Sequence, residues 1–149
     1  MNAETGQVNP HILVIEDNPA DVDLLKLAME TSGLICDVTV IDDGGEALAL
    51  TRQQGRHAEM PAPDLIILDL NLPKNDGLEI LEAMRESQPY AQTPIAVLSS
   101  SSSPRERAKI EKYSISRFIT KPSYLEEFLA IGNVIKELLG ETRARGRSV

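Results

Sequence analysis

The sequence predicts a doubly wound α/β domain, a five-stranded parallel sheet with helices on both faces. Two observations carry this. Five short apolar runs alternate with helical patterns along the 149 residues, and the runs are apolar on both faces, whereas antiparallel strands with one wet face alternate polar with apolar. The length agrees, since one core is normally built from roughly 100–150 residues.

Ile12-Leu13-Val14-Ile15 is the first strand, and Asn18-Pro19 opens a helix from Ala20 in which Leu24, Leu25, Leu27 and Ala28 recur until Ser32-Gly33 stops it. Cys36-Asp37-Val38-Thr39-Val40-Ile41 is the second strand, ended by Asp42-Asp43-Gly44-Gly45; a helix over 46–54 follows, with Ala47, Leu48 and Leu50, closed by Gly55. A polar, proline-bearing connection over 56–63 leads to the third strand, Leu65-Ile66-Ile67-Leu68. A loop over 70–76 and a helix with Leu78, Ile80, Leu81 and Met84 come next. Ile95-Ala96-Val97-Leu98 is the fourth strand, 104–113 a short charged helix, Phe118-Ile119-Thr120 the fifth strand and 124–139 the last helix. The ends look loose, which gives a flexible N-terminus over 1–9, one domain over 10–140 and a basic tail over 141–149.

Composition excludes several functions. Fifteen basic and 23 acidic residues leave a net charge of −8, which repels nucleic-acid phosphates. Arg143, Arg145 and Arg147 beside Glu141 read as a solubilising end rather than a nucleic-acid arm. No apolar run reaches membrane length, and residues 1–10 lack the basic start and apolar middle of a signal peptide, so a cytoplasmic protein is expected. The single cysteine, Cys36, cannot form an internal disulfide and reads as core.

In open parallel sheets ligands bind at the carboxyl ends of the strands. There the polar residues collect: Glu16 and Asp17 after strand one, Asp69 after strand three, Ser99 at the end of strand four, and Lys121-Pro122 after strand five. A lone acid after a strand ordinarily caps a helix or faces water. Polar exceptions at the same end of four strands are a different matter, because the sheet makes them converge. Carboxylates so placed repel one another unless a cation relieves them, and their hard oxygens suit Mg²⁺. His11 and His57 fall away from this rim. Gly44-Gly45 lacks the Gly-Lys-Ser/Thr of a phosphate-binding loop and reads as a turn.

These residues resemble the receiver domains of two-component response regulators, of which the bacterial chemotaxis regulator is the simplest example. The family's paired acids look like Glu16-Asp17, its phosphoacceptor like Asp69, its Asp-Gly like Asp76-Gly77, its Ser/Thr like Ser99, its switch aromatic like Phe118 and its Lys-Pro like Lys121-Pro122. The runs 16–21 and 71–77, with the long second connection, also look like the stand-alone regulators paired with phytochrome-type histidine kinases. Phe118 stands where many members carry tyrosine, and Ser99 where threonine is commoner.

The resemblance implies a flavodoxin-like receiver fold in which Asp69 attacks the phosphohistidine of a sensor histidine kinase. It implies Mg²⁺ on Asp17, Asp69 and the backbone carbonyl of Asn71, with Glu16 acting through bound water. Lys121 and Ser99 would hold phosphoryl oxygens, Ser99 and Phe118 would switch, and Asn71 and Ser101 would tune the phosphoryl lifetime. About ten residues follow the last helix, so the reading is a stand-alone regulator acting on an unknown downstream protein, not an enzyme with turnover. A phosphorylation-independent interaction module would be marked by loss of Asp69, Asp17 or Lys121, and all three are present. A small Mg²⁺-dependent hydrolase would need a second acid–base group, and the rim offers no histidine.

The last helix adds a homodimer. Leu125, Phe128, Leu129, Gly132, Ile135 and Leu139 suffice to cover the sheet, whereas Tyr124, Ile131, Val134 and Leu138 form a second apolar stripe. With Phe118 on the neighbouring strand, this stripe is the expected two-fold interface.

Overall fold

A computed structural model describes residues 8–72, 76–101 and 103–147. Most of the N-terminal segment expected over 1–9, Pro73 to Asn75 of the 71–77 run, Ser102, and the side chains of Arg143, Arg145 and Arg147 lie outside the described residues. The elements in order are β1 (His11–Ile15), α1 (Pro19–Thr31), β2 (Asp37–Ile41), α2 (Gly44–Thr51), β3 (Leu65–Asp69) and α3 (Gly77–Glu86). After a 3₁₀ turn (Gln88–Tyr90) come β4 (Ile95–Ser99), α4 (Pro104–Glu111), β5 (Arg117–Thr120), α5 (Leu125–Leu129) and α6 (Ile131–Arg147). The five strands are parallel in the order β2-β1-β3-β4-β5, which puts the switch in winding direction between β1 and β3.

Alternation along each strand feeds two cores. Leu13, Ile15, Ile66, Leu68 and Val97 meet Leu50, Ile80, Leu81, Met84 and Ile110 of α2, α3 and α4 on one face. Ile12, Val14, Leu65, Ile67 and Leu98 meet Leu25, Met29, Phe128, Ile131 and Ile135 of α1, α5 and α6 on the other. Each fully buried aliphatic side chain contributes roughly 1.5–3 kcal/mol, so both faces hold the sheet rigid under its carboxyl-end rim. β2 is an edge strand whose Val38, Thr39 and Val40 stay half-buried, consistent with its mixed composition.

The last helix departs from expectation. It breaks at Ala130 into α5 and α6, and α6 runs on to Arg147 instead of ending at Leu139. The second stripe is therefore not surplus: Ile131 and Leu138 are 3% and 2% exposed within the second core, and Val134 packs half-buried against it. The cause is a close approach of α6 to α1. At Gly132 a Cβ would stand 2.1 Å from the carbonyl oxygen of Ala28, a distance only glycine permits, and α1 then covers the stripe. Lys136 Nζ donates to the Ser32 carbonyl at 3.0 Å across the same seam. Conversely Leu125, expected over the sheet, is 56% exposed beside Tyr124 at 72%. Of the predicted dimer contacts, Ile131, Val134 and Leu138 thus belong to the domain's own interior.

Candidate functional site

The parallel register brings the rim together. Ile15 pairs with Leu68, Asp69 with Leu98, and Ser99 with Thr120, so Glu16, Asp69, Ser99 and Lys121 leave adjacent strands at one level. Lys121 N–H donates to the Ser99 carbonyl at 2.7 Å, prolonging the β4–β5 ladder to the lysine itself.

Asp69, 2% exposed, ends the central strand. Its Oδ1 accepts from the Asn71 N–H at 2.9 Å and its Oδ2 from Lys121 Nζ at 3.2 Å. Glu16 is buried next to it, with Oε2 accepting from the Asn18 N–H at 3.2 Å and Oε1 2.9 Å from Lys121 Nζ. Asn18 caps α1, accepting from the N–H groups of Ala20 and Asp21, with Pro19 as the first helical residue. The cap is therefore Asn18 and not Asp17, which leaves the half-buried Asp17 carboxylate free for other work.

Lys121 serves three acids at once, because Asp21 Oδ2, from the first turn of α1, also lies 2.8 Å from Nζ. Burial works against the ammonium, but hydrogen bonds to Asp21 and Glu16 and the charge of Asp69 outweigh it and hold the lysine above its ordinary range. One cation does not balance the set. Burial, then the neighbouring Asp69 carboxylate, push the Glu16 carboxyl up to about 7, with Lys121 opposing. Oxygens of Glu16, Asp17 and Asp69 lie within 4.8 Å of one another.

The opposite wall is the β4–α4 loop. Asn71 Oδ1 accepts from Ser100 N–H at 2.9 Å and Ser100 Oγ at 3.0 Å, tying the loop after β3 to the serine run. Ser99, fully buried, donates its hydroxyl hydrogen to Glu106 of α4 and accepts from the Ser101 N–H at 3.1 Å. Phe118 is half-buried against the first core, with the Arg107 guanidinium 4.9 Å above its ring. Gly77 starts α3 against the end of β3, where a Cβ would stand 2.5 Å from Leu70 Cα, and Asp76 Oδ1 caps the helix through the Leu78 N–H. This explains the need for an Asp-Gly pair there. His11 lies at the other end of β1, bonded to Thr39 Oγ1 and the Pro61 carbonyl.

Sequence reasoning missed Asp21, Glu106 and Arg107. Asp21 stands in the quoted 16–21 run, three residues after the cap, so its place in the first turn of α1 was the available signal. Ser103-Pro104-Arg105-Glu106 has capping-box spacing, which would direct Glu106 back toward the end of β4.

A buried aspartate at the centre of such a sheet, flanked by an acid pair and a lysine, defines a receiver domain. The sequence profile of the response regulator receiver domain family matches residues 12–132, and the chain belongs to that family, whose signalling is the phosphorylation-based signalling of two-component systems. It is 31% identical over 131 residues to the response regulator Rcp1 of Synechocystis sp., covering 88% of this chain and 89% of Rcp1. The phosphorylated cyanobacterial phytochrome response regulator RcpA superposes with a TM-score of 0.82 at 35% identity, over 91% of this chain and 96% of RcpA. The Mn²⁺-bound form of Rcp1 does so with a TM-score of 0.77 over 85% of this chain and 91% of Rcp1. The match to the transcriptional regulatory protein TrcR of Mycobacterium tuberculosis, 38% identical, covers 80% of this chain and 42% of TrcR. Among the described residues no helix is long and apolar enough to cross a membrane.

Proposed function

We propose that Asp69 accepts a phosphoryl group from the phosphohistidine of a sensor histidine kinase. One observation carries this reading: Asp69 is buried at the end of the central strand, within reach of both the acid pair and Lys121. An Asp69 oxygen attacks phosphorus in line, the N–P bond opposite breaks, and the departing imidazole keeps the electron pair. The Asn71 N–H on Oδ1 fixes the carboxylate plane for the attack. Lys121 stays as the positive partner of a transferred oxygen, and Ser99 donates a hydrogen bond to another. Phe118 then turns toward the space behind Ser99.

The acid set fits Mg²⁺ through Asp17, Asp69 and the Asn71 backbone carbonyl, with Glu16 acting through water, because oxygens of Glu16, Asp17 and Asp69 crowd within 4.8 Å of one another and burial forces Glu16 toward its neutral form. When bound, the ion neutralises charge on the transferred group. Mn²⁺ on Rcp1 supports this assignment.

Asn71 and Ser101 flank the approach of hydrolytic water and set the phosphoryl lifetime. The chain is then a cytoplasmic phosphoacceptor that assists its own phosphorylation and dephosphorylation, not a turnover enzyme. Its likeness to RcpA, a cyanobacterial phytochrome response regulator, supports a phytochrome-type kinase as the donor, and an unknown downstream protein reads the result. Self-association runs through what remains of the expected interface, half-buried Phe118 and exposed Tyr124.

The test is intact mass after incubation with a small phosphodonor and Mg²⁺. One added phosphoryl group is expected, lost in Asp69→Asn, with Mg²⁺ dependence abolished in Asp17→Ala and weakened less in Glu16→Ala. Equal loss in the last two would contradict the ligand roles.

A further inference from the structure

We infer that Glu106 is a positioning residue that latches the Ser99 hydroxyl away from Asp69 and so opposes the phosphorylated arrangement; this rests on the phosphoacceptor reading of Asp69. A serine hydroxyl has a single hydrogen to donate. Here that hydrogen goes to a Glu106 carboxylate oxygen, while Asn71 Oδ1 lies farther off at 3.4 Å. A carboxylate only accepts, so the bond is charge-assisted and among the stronger kinds a hydroxyl makes. To donate to a phosphoryl oxygen on Asp69, Ser99 must first give Glu106 up.

The local structure shows that Glu106 is not held by ordinary capping. It stands three residues after the cap Ser103, where a glutamate normally reaches back to the cap N–H. That N–H instead donates to Ser101 Oγ at 3.2 Å, and the Ser103 side chain makes no capping bond. The residue is thus diverted from its usual partner to Ser99. The next residue, Arg107, lies over Phe118, so one turn of α4 touches both switching side chains. Breaking the Glu106–Ser99 bond therefore frees the turn that also covers Phe118, and the state of Asp69 is transmitted to α4 through a single hydroxyl.

Beryllium fluoride in the presence of Mg²⁺ serves as a phosphoryl mimic, with binding followed by calorimetry and by the ¹⁹F resonance of the bound ion. Glu106→Ala is expected to bind it about tenfold more tightly than the unsubstituted chain, since a charge-assisted bond no longer competes. Glu106→Gln, which keeps a neutral acceptor, falls between, and carries the test if the alanine variant does not fold. In a Ser99→Ala background, Glu106→Ala should change nothing further. Equal or weaker binding by folded Glu106 variants overturns the latch, as does a gain that persists without the Ser99 hydroxyl. A merely structural glutamate would lower stability and affinity together. Absence of binding by the unsubstituted chain itself would instead strike the reading of Asp69, and the latch would fall with it.

Discussion

Two partly buried cations organise opposite kinds of polar cluster in this molecule. Arg85, near the end of α3, donates to the carbonyls of Tyr113, Tyr90, Ala91, Thr93 and Ser114, at 2.7 to 3.3 Å. It stitches α3 to the 3₁₀ turn and to the α4–β5 turn. Its partners are neutral, and burial alone pulls the guanidinium below its ordinary range. Lys121 faces acids, and they hold it above its range despite burial. The first cluster spends the guanidinium on backbone carbonyls of the surrounding turns. The second keeps more negative charge than its cation answers, and Glu16 absorbs the excess by favouring its protonated form. A satisfied cluster holds the fold, whereas a cluster short of positive charge is suited to take up a cation.

The largest expected effect falls on the satisfied cluster. Arg85→Ala removes the side chain that joins five carbonyls, of which only that of Tyr90 keeps another donor in the Thr93 N–H, and should cost about 3 kcal/mol in urea unfolding, while phosphoryl uptake per folded molecule stays unchanged. Loss of uptake at full stability would reverse the division of labour.

Glu16 supplies a second contrast through pH. Its folded-state pKa of about 7 lies above the ordinary 4.5, so the folded chain keeps a proton that the unfolded chain has released. The associated stability is complete below pH 4.5 and is lost as pH climbs through 7. Without Mg²⁺, Glu16→Gln should gain on the unsubstituted chain by about 2 kcal/mol between pH 5 and pH 8. A pH-independent difference would show that Glu16 is not strained by its neighbours.

The smallest effect has the opposite sign to that of Arg85. Asp69→Asn removes one negative charge from the crowded rim and should stabilise the Mg²⁺-free protein by about 1 kcal/mol in the same assay. Destabilisation would mean that Lys121 already balances the acids.

The same contrast explains what the sequence made legible. Strand runs such as Ile66-Ile67-Leu68 are buried on both faces, and their periodicity alone located the sheet and hence the rim residues Glu16, Asp17, Asp69, Ser99 and Lys121. Partners reached across loops left no periodic trace. Asp21 and Glu106 sit in helix first turns where acids are common for electrostatic reasons alone, and Arg85 looks like a surface cation on a charged helix. Ile131 and Leu138 look surplus when the apolar pattern is taken unbroken through Ala130. The helix break there, and the approach of α6 to α1 at Gly132, depend on packing that a single-helix stripe does not encode.

The central claim, that the charge-deficient rim exists to phosphorylate Asp69, is tested most directly by locating the phosphoryl group. After incubation with a phosphodonor and Mg²⁺, borohydride reduction of the acyl phosphate followed by peptide mass mapping should mark position 69 alone. Reduction at Asp17 or Asp21, or a borohydride-resistant phosphate on Ser99 or His57, would contradict the account.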